Sequence, residues 1–232
     1  MKIKKARANL KAGTPENLGD DAYEWLVNAI TTFQIPTGSQ ISENKIAVEL
    51  GVSRTPVREA LKRLENEGLI KKSDAGRFTV AMLTAKDVDE AIDLLLLCDT
   101  YLFRKAANNL NSKECSALME SASTMASSAQ NGDREAWSRS DLIFHETIMK
   151  AAGNDLISEV ARITRRRIQR FWTRSSAGTK NLITCSAEHT NIAEAIINKD
   201  GDKIHKEVET HLGHLRINMH EIVASTAHFF GT

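Results

Sequence analysis

The chain has 232 residues, 41% of them apolar and 26% charged, a balance that excludes a disordered chain and at this length favours two domains over one. Net charge is +1, which excludes a strongly basic or acidic protein and by itself gives nucleic-acid binding no support. Cys98, Cys115 and Cys185 stand far apart with no C-x-x-C pair, so neither a disulfide framework nor a thiolate zinc site is expected, and they read as small core residues.

The opening MKIKKARANLKAG is basic but lacks the apolar run of a secretory signal, and no run approaches membrane-spanning length. A cytoplasmic protein with no membrane partner is expected. Residues 1–80 carry 13 Lys and Arg against 10 Asp and Glu, and residues 81–232 carry 18 against 20. That mildly basic front is weak support for phosphate contact, because a mixed-charge surface gives the same count.

All three prolines, Pro15, Pro36 and Pro56, fall early, and their absence afterwards favours a helical second half. From Asn17 to Phe33, Leu18, Ala22, Trp25, Leu26, Ala29, Ile30 and Phe33 recur at helical spacing, and Ile35-Pro36-Thr37-Gly38 ends that helix. Ser42 and Glu43 open a short helix carrying Ile46, Ala47 and Leu50, which Gly51 closes in the left-handed conformation glycine favours. Ser53 starts the next helix, which runs through Val57, Ala60, Leu61 and Leu64 to Gly68; Leu69–Lys72 and Phe78–Met82 then read as two strands. Helix, helix, turn, helix and hairpin make a winged helix-turn-helix over residues 1–83. Beyond it, with Thr84 as N-cap, amphipathic segments follow at about 85–110, 112–130, 133–151, 155–174, 183–198 and 202–226 with no strand pattern. The expected fold is therefore mainly α, with an all-helical domain over residues 84–232.

The stretch GVSRTPVREALKRLENEGLI, Gly51 to Ile70, with ISENKIAVEL before it, resembles the GntR superfamily of regulators. Its physical logic stands beside the likeness. Ser53 is placed to cap the third helix and to hydrogen-bond a phosphate, while Arg54, Thr55 and Arg58 crowd the turns that enter a major groove. Pro56 falls in the first turn, where its missing N–H costs nothing. The resemblance implies that Ser53, Arg54, Thr55 and Arg58 contact DNA, with Asn44 of the preceding helix near a phosphate. The plainer alternative makes Arg54 and Arg58 solvated charges supported by nearby Glu59 and Glu65. Relatives tend to carry a G-x-G turn in the wing; here Asp74-Ala75-Gly76-Arg77 keeps one glycine, leaving Gly76 and Arg77 as the wing's candidates for DNA contact.

DLIFHETIMKAAGN from Asp141, EHTNIAEAIINKD from Glu188 and VETHL from Val208 resemble the FCD effector domain of FadR-type regulators. Such domains are antiparallel bundles of six or seven helices, many with a metal inside. The likeness implies a metabolite-responsive regulator, usually a repressor, acting as a homodimer. A dimer suits a short inverted-repeat site on double-stranded DNA, because one recognition helix alone gives little specificity. From Trp137, Asp141 lies roughly 40° and His145 roughly 80° around the helix, so both face inward. His189 shares the buried face of Ile192 and Ile196. His211 lies roughly 60° from the centre of the stripe of Val208, Leu212, Leu215 and Met219 and His214 roughly 120°, so His211 is preferred and His214 is the fallback.

A lone inward histidine is usually a core residue with a hydrogen-bond partner. Three with an aspartate make a divalent transition-metal site, with zinc, nickel and manganese left open. Arg167 falls inside the apolar arc of Leu156, Val160, Ile163, Ile168 and Phe171 on the segment from Asp155 to Arg174, whereas Arg162, Arg165 and Arg166 fall outside it. An inward guanidinium suits a small carboxylate effector such as an organic or sugar acid; a buried ion pair with a neighbouring helix is the equal alternative. Cys98 and Leu102 stand where many relatives carry an Arg and a Glu that help shape the pocket. No further residue stands out as a general base, so a regulator and not an enzyme is expected. A metal-dependent hydrolase using the Asp/His site is the competing reading, and a purely structural metal a third.

Overall fold

The computed structural model describes residues 15–31, 34–172 and 178–230, with side chains described for residues 18–30, 34–168 and 181–224. Phe33, Arg174 and the basic opening segment lie outside the described residues, as does the side chain of Phe171. The chain divides into two compact units, Met1–Met82 and Leu83–Thr232.

In the first unit, α1 (Pro15–Thr31), β1 (Gln40–Ile41), α2 (Glu43–Leu50), α3 (Arg54–Asn66), β2 (Ile70–Lys72) and β3 (Phe78–Val80) follow in order. Ser42 accepts a hydrogen bond from Lys45 N and so caps α2, and Gly51, at φ 69°, turns the chain out of it. No other residue type takes that left-handed conformation so cheaply, and it sets the angle at which α3 departs. Ser53 has the extended backbone of an N-cap, yet its hydroxyl makes no capping hydrogen bond, a correction to the expected role. Tyr23 and Leu26 of α1, Leu50 of α2, Leu61 of α3 and Phe78 of β3 share one core. A polar clamp joins α1 to α3: the Tyr23 hydroxyl donates to Glu67 at 2.7 Å, and the Arg63 guanidinium lies 3.7 Å over the Tyr23 ring.

The sheet has the order β1-β3-β2, all antiparallel. β1 adds to the two expected strands. With two residues it has no pattern to read, and only its pairing of Gln40 with Thr79 and Ile41 with Phe78 makes it a strand. The β2–β3 turn closes through Gly76 N donating to Ser73 O at 2.8 Å, with Gly76 at φ 76°. The retained glycine sits where the turn requires positive φ.

The second unit has six helices among the described residues: α4 (Ala85–Asn109), α5 (Ser112–Asn131), α6 (Arg134–Ala152), α7 (Asp155–Trp172), α8 (Gly178–Ile197) and α9 (Gly201–Phe230). Thr84 with Asp87, and Asn111 with Glu114, form reciprocal capping boxes at the starts of α4 and α5. α5 packs on α6 and α8, and α4 on α6, α7 and α9. Trp137, Phe144 and Ile148 of α6, Ile192 and Ile196 of α8, and Val208, Leu212 and Met219 of α9 are buried.

The face α7 turns inward overlaps the expected one only in part, at Ile168. Leu156 is 77% exposed and Val160 36%, while Ser158, Ala161, Thr164 and Ile168 are buried. Small side chains let the neighbouring helices approach, so size and not hydrophobicity marks the packed face. Leu97 and Tyr101 on α4 are likewise exposed. No helix of the described residues is long and apolar enough to cross a membrane.

Candidate functional site

All seven residues expected to meet DNA, Asn44, Ser53, Arg54, Thr55, Arg58, Gly76 and Arg77, are exposed. The opposite face of α3, Val57, Ala60, Leu61 and Leu64, is buried, so core packing presents Arg54 and Arg58 to solvent. Neither arginine leans on Glu59 or Glu65 through an ion pair. Both share Glu43 at the start of α2, at 3.3 Å from Arg54 and 3.4 Å from Arg58. One carboxylate thus orients two guanidiniums one helical turn apart. Glu43 precedes them by 11 and 15 residues, too far for local spacing to reveal.

In the second unit, α6 brings Asp141 and His145, and α8 brings His189, to one buried point. Asp141 Oδ1 lies 3.1 Å from His189 Nε2 and 3.6 Å from His145 Nε2, and the two Nε2 atoms are 3.4 Å apart. Donor atoms about 2.1 Å from a common ion at octahedral or tetrahedral angles stand about 3.0–3.4 Å apart; the two spacings to His189 fall in that range, and the Asp141–His145 spacing of 3.6 Å is slightly wider. Phe144 packs its ring edge-on against His189 and His145, with centroids 4.9 and 5.4 Å away, which fixes both imidazoles. His211 of α9 meets His189 at a ring distance of 4.6 Å and, with His189 and Cys185, forms a second group of mutually close ligand atoms. His214 is 52% exposed; the preferred residue, His211, is the buried one.

The hydrogen bonds show which nitrogens are available. His189 Nδ1 lies 2.8 Å from the carbonyl oxygen of Cys185, which can only accept, so Nδ1 carries a hydrogen and Nε2 is the nitrogen turned towards the Asp141 carboxylate. A proton or a metal ion on Nε2 satisfies its contact of 3.1 Å with Asp141 Oδ1. His211 follows the same pattern, its Nδ1 donating to Glu188 Oε2 at 2.8 Å. A carboxylate behind an imidazole is the usual arrangement for orienting a metal ligand. The donor set therefore fits a divalent ion. Burial works against charge on Asp141, yet the two imidazoles beside it hold its carboxyl well below the usual range. Burial, with the charge of Arg165 adding to it and Asp141 opposing, pushes His145 down to about 4. Both groups are kept in the ionisation states that ligate.

Arg167 does not face this site. It is 43% exposed and lies 3.6 Å from Asp87, because the large apolar residues that defined its arc lie partly on the surface of α7. The inward arginine is Arg165, 11% exposed, whose Nη2 donates to Asp99 Oδ2 at 2.6 Å. Its Nε is buried with no hydrogen-bond partner among the described residues. Arg165 lines a cavity of about 30 Å³ together with Trp137, Asp141, Cys185, His189 and His211. Glu188 and Arg165 were missed from sequence. Glu188 adjoins an inward histidine, and Arg165 follows the small-residue face of Ser158 and Ala161, which is the signal that would have found it.

Residues 80–214 match the FCD domain family, and residues 18–80 match the family described as bacterial regulatory proteins, gntR family. The gluconate operon transcriptional repressor of Bacillus subtilis (strain 168) is 34% identical over 142 residues, 60% of this chain and 56% of the repressor. The chain thus spans about half the length of that relative. An uncharacterized HTH-type transcriptional regulator of the same organism, YdhC, is 26% identical over 83% of this chain and 86% of its own. Among solved structures, E. coli McbR/YncC superposes with a TM-score of 0.79 at 18% identity, covering 88% of this chain and 97% of that one, which shows a shared fold. These families and relatives are transcriptional regulators and not enzymes, which sets the hydrolase alternative aside. The chain belongs to the FCD-domain family of GntR-type bacterial regulatory proteins.

Proposed function

We propose that the chain is a DNA-binding transcription repressor, acting in the cytoplasm as a two-fold dimer, whose helical unit holds a divalent transition metal and answers a small organic or sugar acid. The observation that carries the metal reading is the gathering of the Asp141, His145 and His189 ligand atoms at one buried point, within 4.8 Å of one another. In this reading Asp141, His145, His189 and His211 are the ligands. Asn44, Ser53, Arg54, Thr55 and Arg58, with Gly76 and Arg77 of the wing, meet the DNA. The exposed apolar row Leu94, Leu97 and Tyr101 on α4 supports self-association. A relative named as the repressor of a gluconate operon supports both repression and a sugar-acid effector.

The effector contact is assigned to Arg165 in place of Arg167. An acid oxygen bound to the metal would lie beside the unpartnered Nε of Arg165, and a guanidinium can bind two oxygens at once. The cavity of about 30 Å³ admits an ion and a water but no organic acid. Effector entry must therefore move helices, and α4, which carries Asp99, follows directly on the DNA-binding unit in the chain. Differential contact with two helix arrangements is what a ligand needs to shift a population.

Selection of duplexes from a random pool by the full chain tests this: an inverted repeat should emerge, and gluconate and related acids should change its affinity only in metal-loaded protein. His189→Ala should keep the selected duplex and lose metal and acid response. Failure to enrich any repeat, or a fully metallated His189→Ala protein, would overturn the reading.

A further inference from the structure

Cys185, whose spacing in the chain marks it only as a small core residue, lies in the metal-site cavity. It sits one helical turn before His189 on α8 and is 6% exposed. Its Sγ is 3.7 Å from His189 Nδ1. The ligand atoms of Cys185, His189 and His211 all lie within 4.8 Å of one another. His189 belongs equally to the group it forms with Asp141 and His145. The two groups meet at His189, with the carboxylate of Asp141 in one and the sulfur of Cys185 in the other. Cys185 is not in a disulfide.

We propose that Cys185 supplies a thiolate ligand to the ion held by His189 and His211, and that this sulfur makes the centre select zinc-class ions over manganese or magnesium. The inference rests on the metal reading above and deepens it. Thiolate favours borderline and soft ions, whereas a site of imidazole and carboxylate alone leaves zinc, nickel and manganese open. On binding, the Sγ–H bond breaks, an Sγ–metal bond forms and the proton leaves to solvent.

The full chain, stripped with chelator and reloaded with cobalt(II), provides the test. Visible ligand-field bands report an ion bound at all, and a near-ultraviolet thiolate-to-cobalt charge-transfer band reports sulfur in its coordination. Wild type should show both. Cys185→Ser should keep the visible bands and lose the charge-transfer band, while Cys98→Ser and Cys115→Ser keep both. In competition, Cys185→Ser should narrow the preference for zinc over manganese about tenfold or more. Visible bands without charge transfer in wild type would overturn the Cys185 assignment and leave the histidine site standing. No cobalt bands in any variant would overturn the metal reading beneath it.

Discussion

Arg54 and Arg58 stand in water, 63% and 59% exposed and sharing one carboxylate, whereas Asp141, His145, His189 and His211 are each at most 5% exposed. The contrast teaches how each region can work. A solvated ion pair contributes about 0–1 kcal/mol, so both arginines can exchange Glu43 for a phosphate or a base edge at little cost. A buried polar group left without a partner costs about 1–3 kcal/mol, so the ligands of the inner site must be held in place by neighbours before any ion arrives. One region is adaptable and the other preset.

The sharpest break in that contrast is Asp141→Ala. Losing the carboxylate that faces both imidazoles should lower metal affinity by more than the roughly 100-fold that an outer partner can cost, while duplex binding by metal-free protein stays unchanged. Mass spectrometry after equilibration with limiting zinc measures it, and stoichiometric loading of the variant would remove Asp141 from the site. On the exposed side, Arg54→Ala and Arg58→Ala should each cost roughly 1–3 kcal/mol of affinity for the selected duplex if the arginine reads a guanine. Metal content and thermal stability should hold; unchanged duplex affinity in both variants would refute the surface.

Glu188→Gln probes the boundary between the two regimes, because Glu188 stands outside the proposed ligand set and bonds to His211 and exposed His214. Metal affinity should fall roughly 10–100-fold, read by competition with a chromophoric chelator. An unaltered affinity would make Glu188 a packing residue. The smallest effect is on pH dependence. His145 is pushed from about 6.5 to about 4 in the folded chain, so between those values the unfolded chain binds more protons, and metal-free protein loses stability as pH falls across the window. His145→Gln should flatten the melting temperature between pH 6.5 and 4 by a few degrees. An identical slope in the variant would show that His145 is not held neutral by burial.

Most of the winged head's elements were legible from local signals. Gly51, the Ser42 cap and the Val57–Ala60–Leu61–Leu64 stripe are local statements, made within one or two turns of chain, and α2 and α3 form where they predict. Thr84 as the start of α4 was legible for the same reason. Asp141, His145 and His189 were recoverable because each shares a face with large buried apolar residues. Arg167 misled because Leu156 and Val160 look like core and are exposed; hydrophobic spacing marks any face shielded from water, including one left open in a single chain. Glu43 and Asp99 carried no local mark, since each acts on a side chain of a different helix.

By itself, then, the sequence determined the helices and the β2–β3 hairpin, most of their caps, the exposed arginine face and the inward turn of Asp141, His145, His189 and His211, because helix periodicity, capping and turn conformation are set by residues a few positions apart. Only the tertiary structure decided that β1 exists, that Glu43 orients both arginines, that Arg165 and not Arg167 lines the cavity, and that Cys185 lies beside the ligands. Those outcomes depend on which helices approach closely enough to touch, and close approach is governed by small residues such as Ser158 and Ala161, whose packing role has no hydrophobic signature.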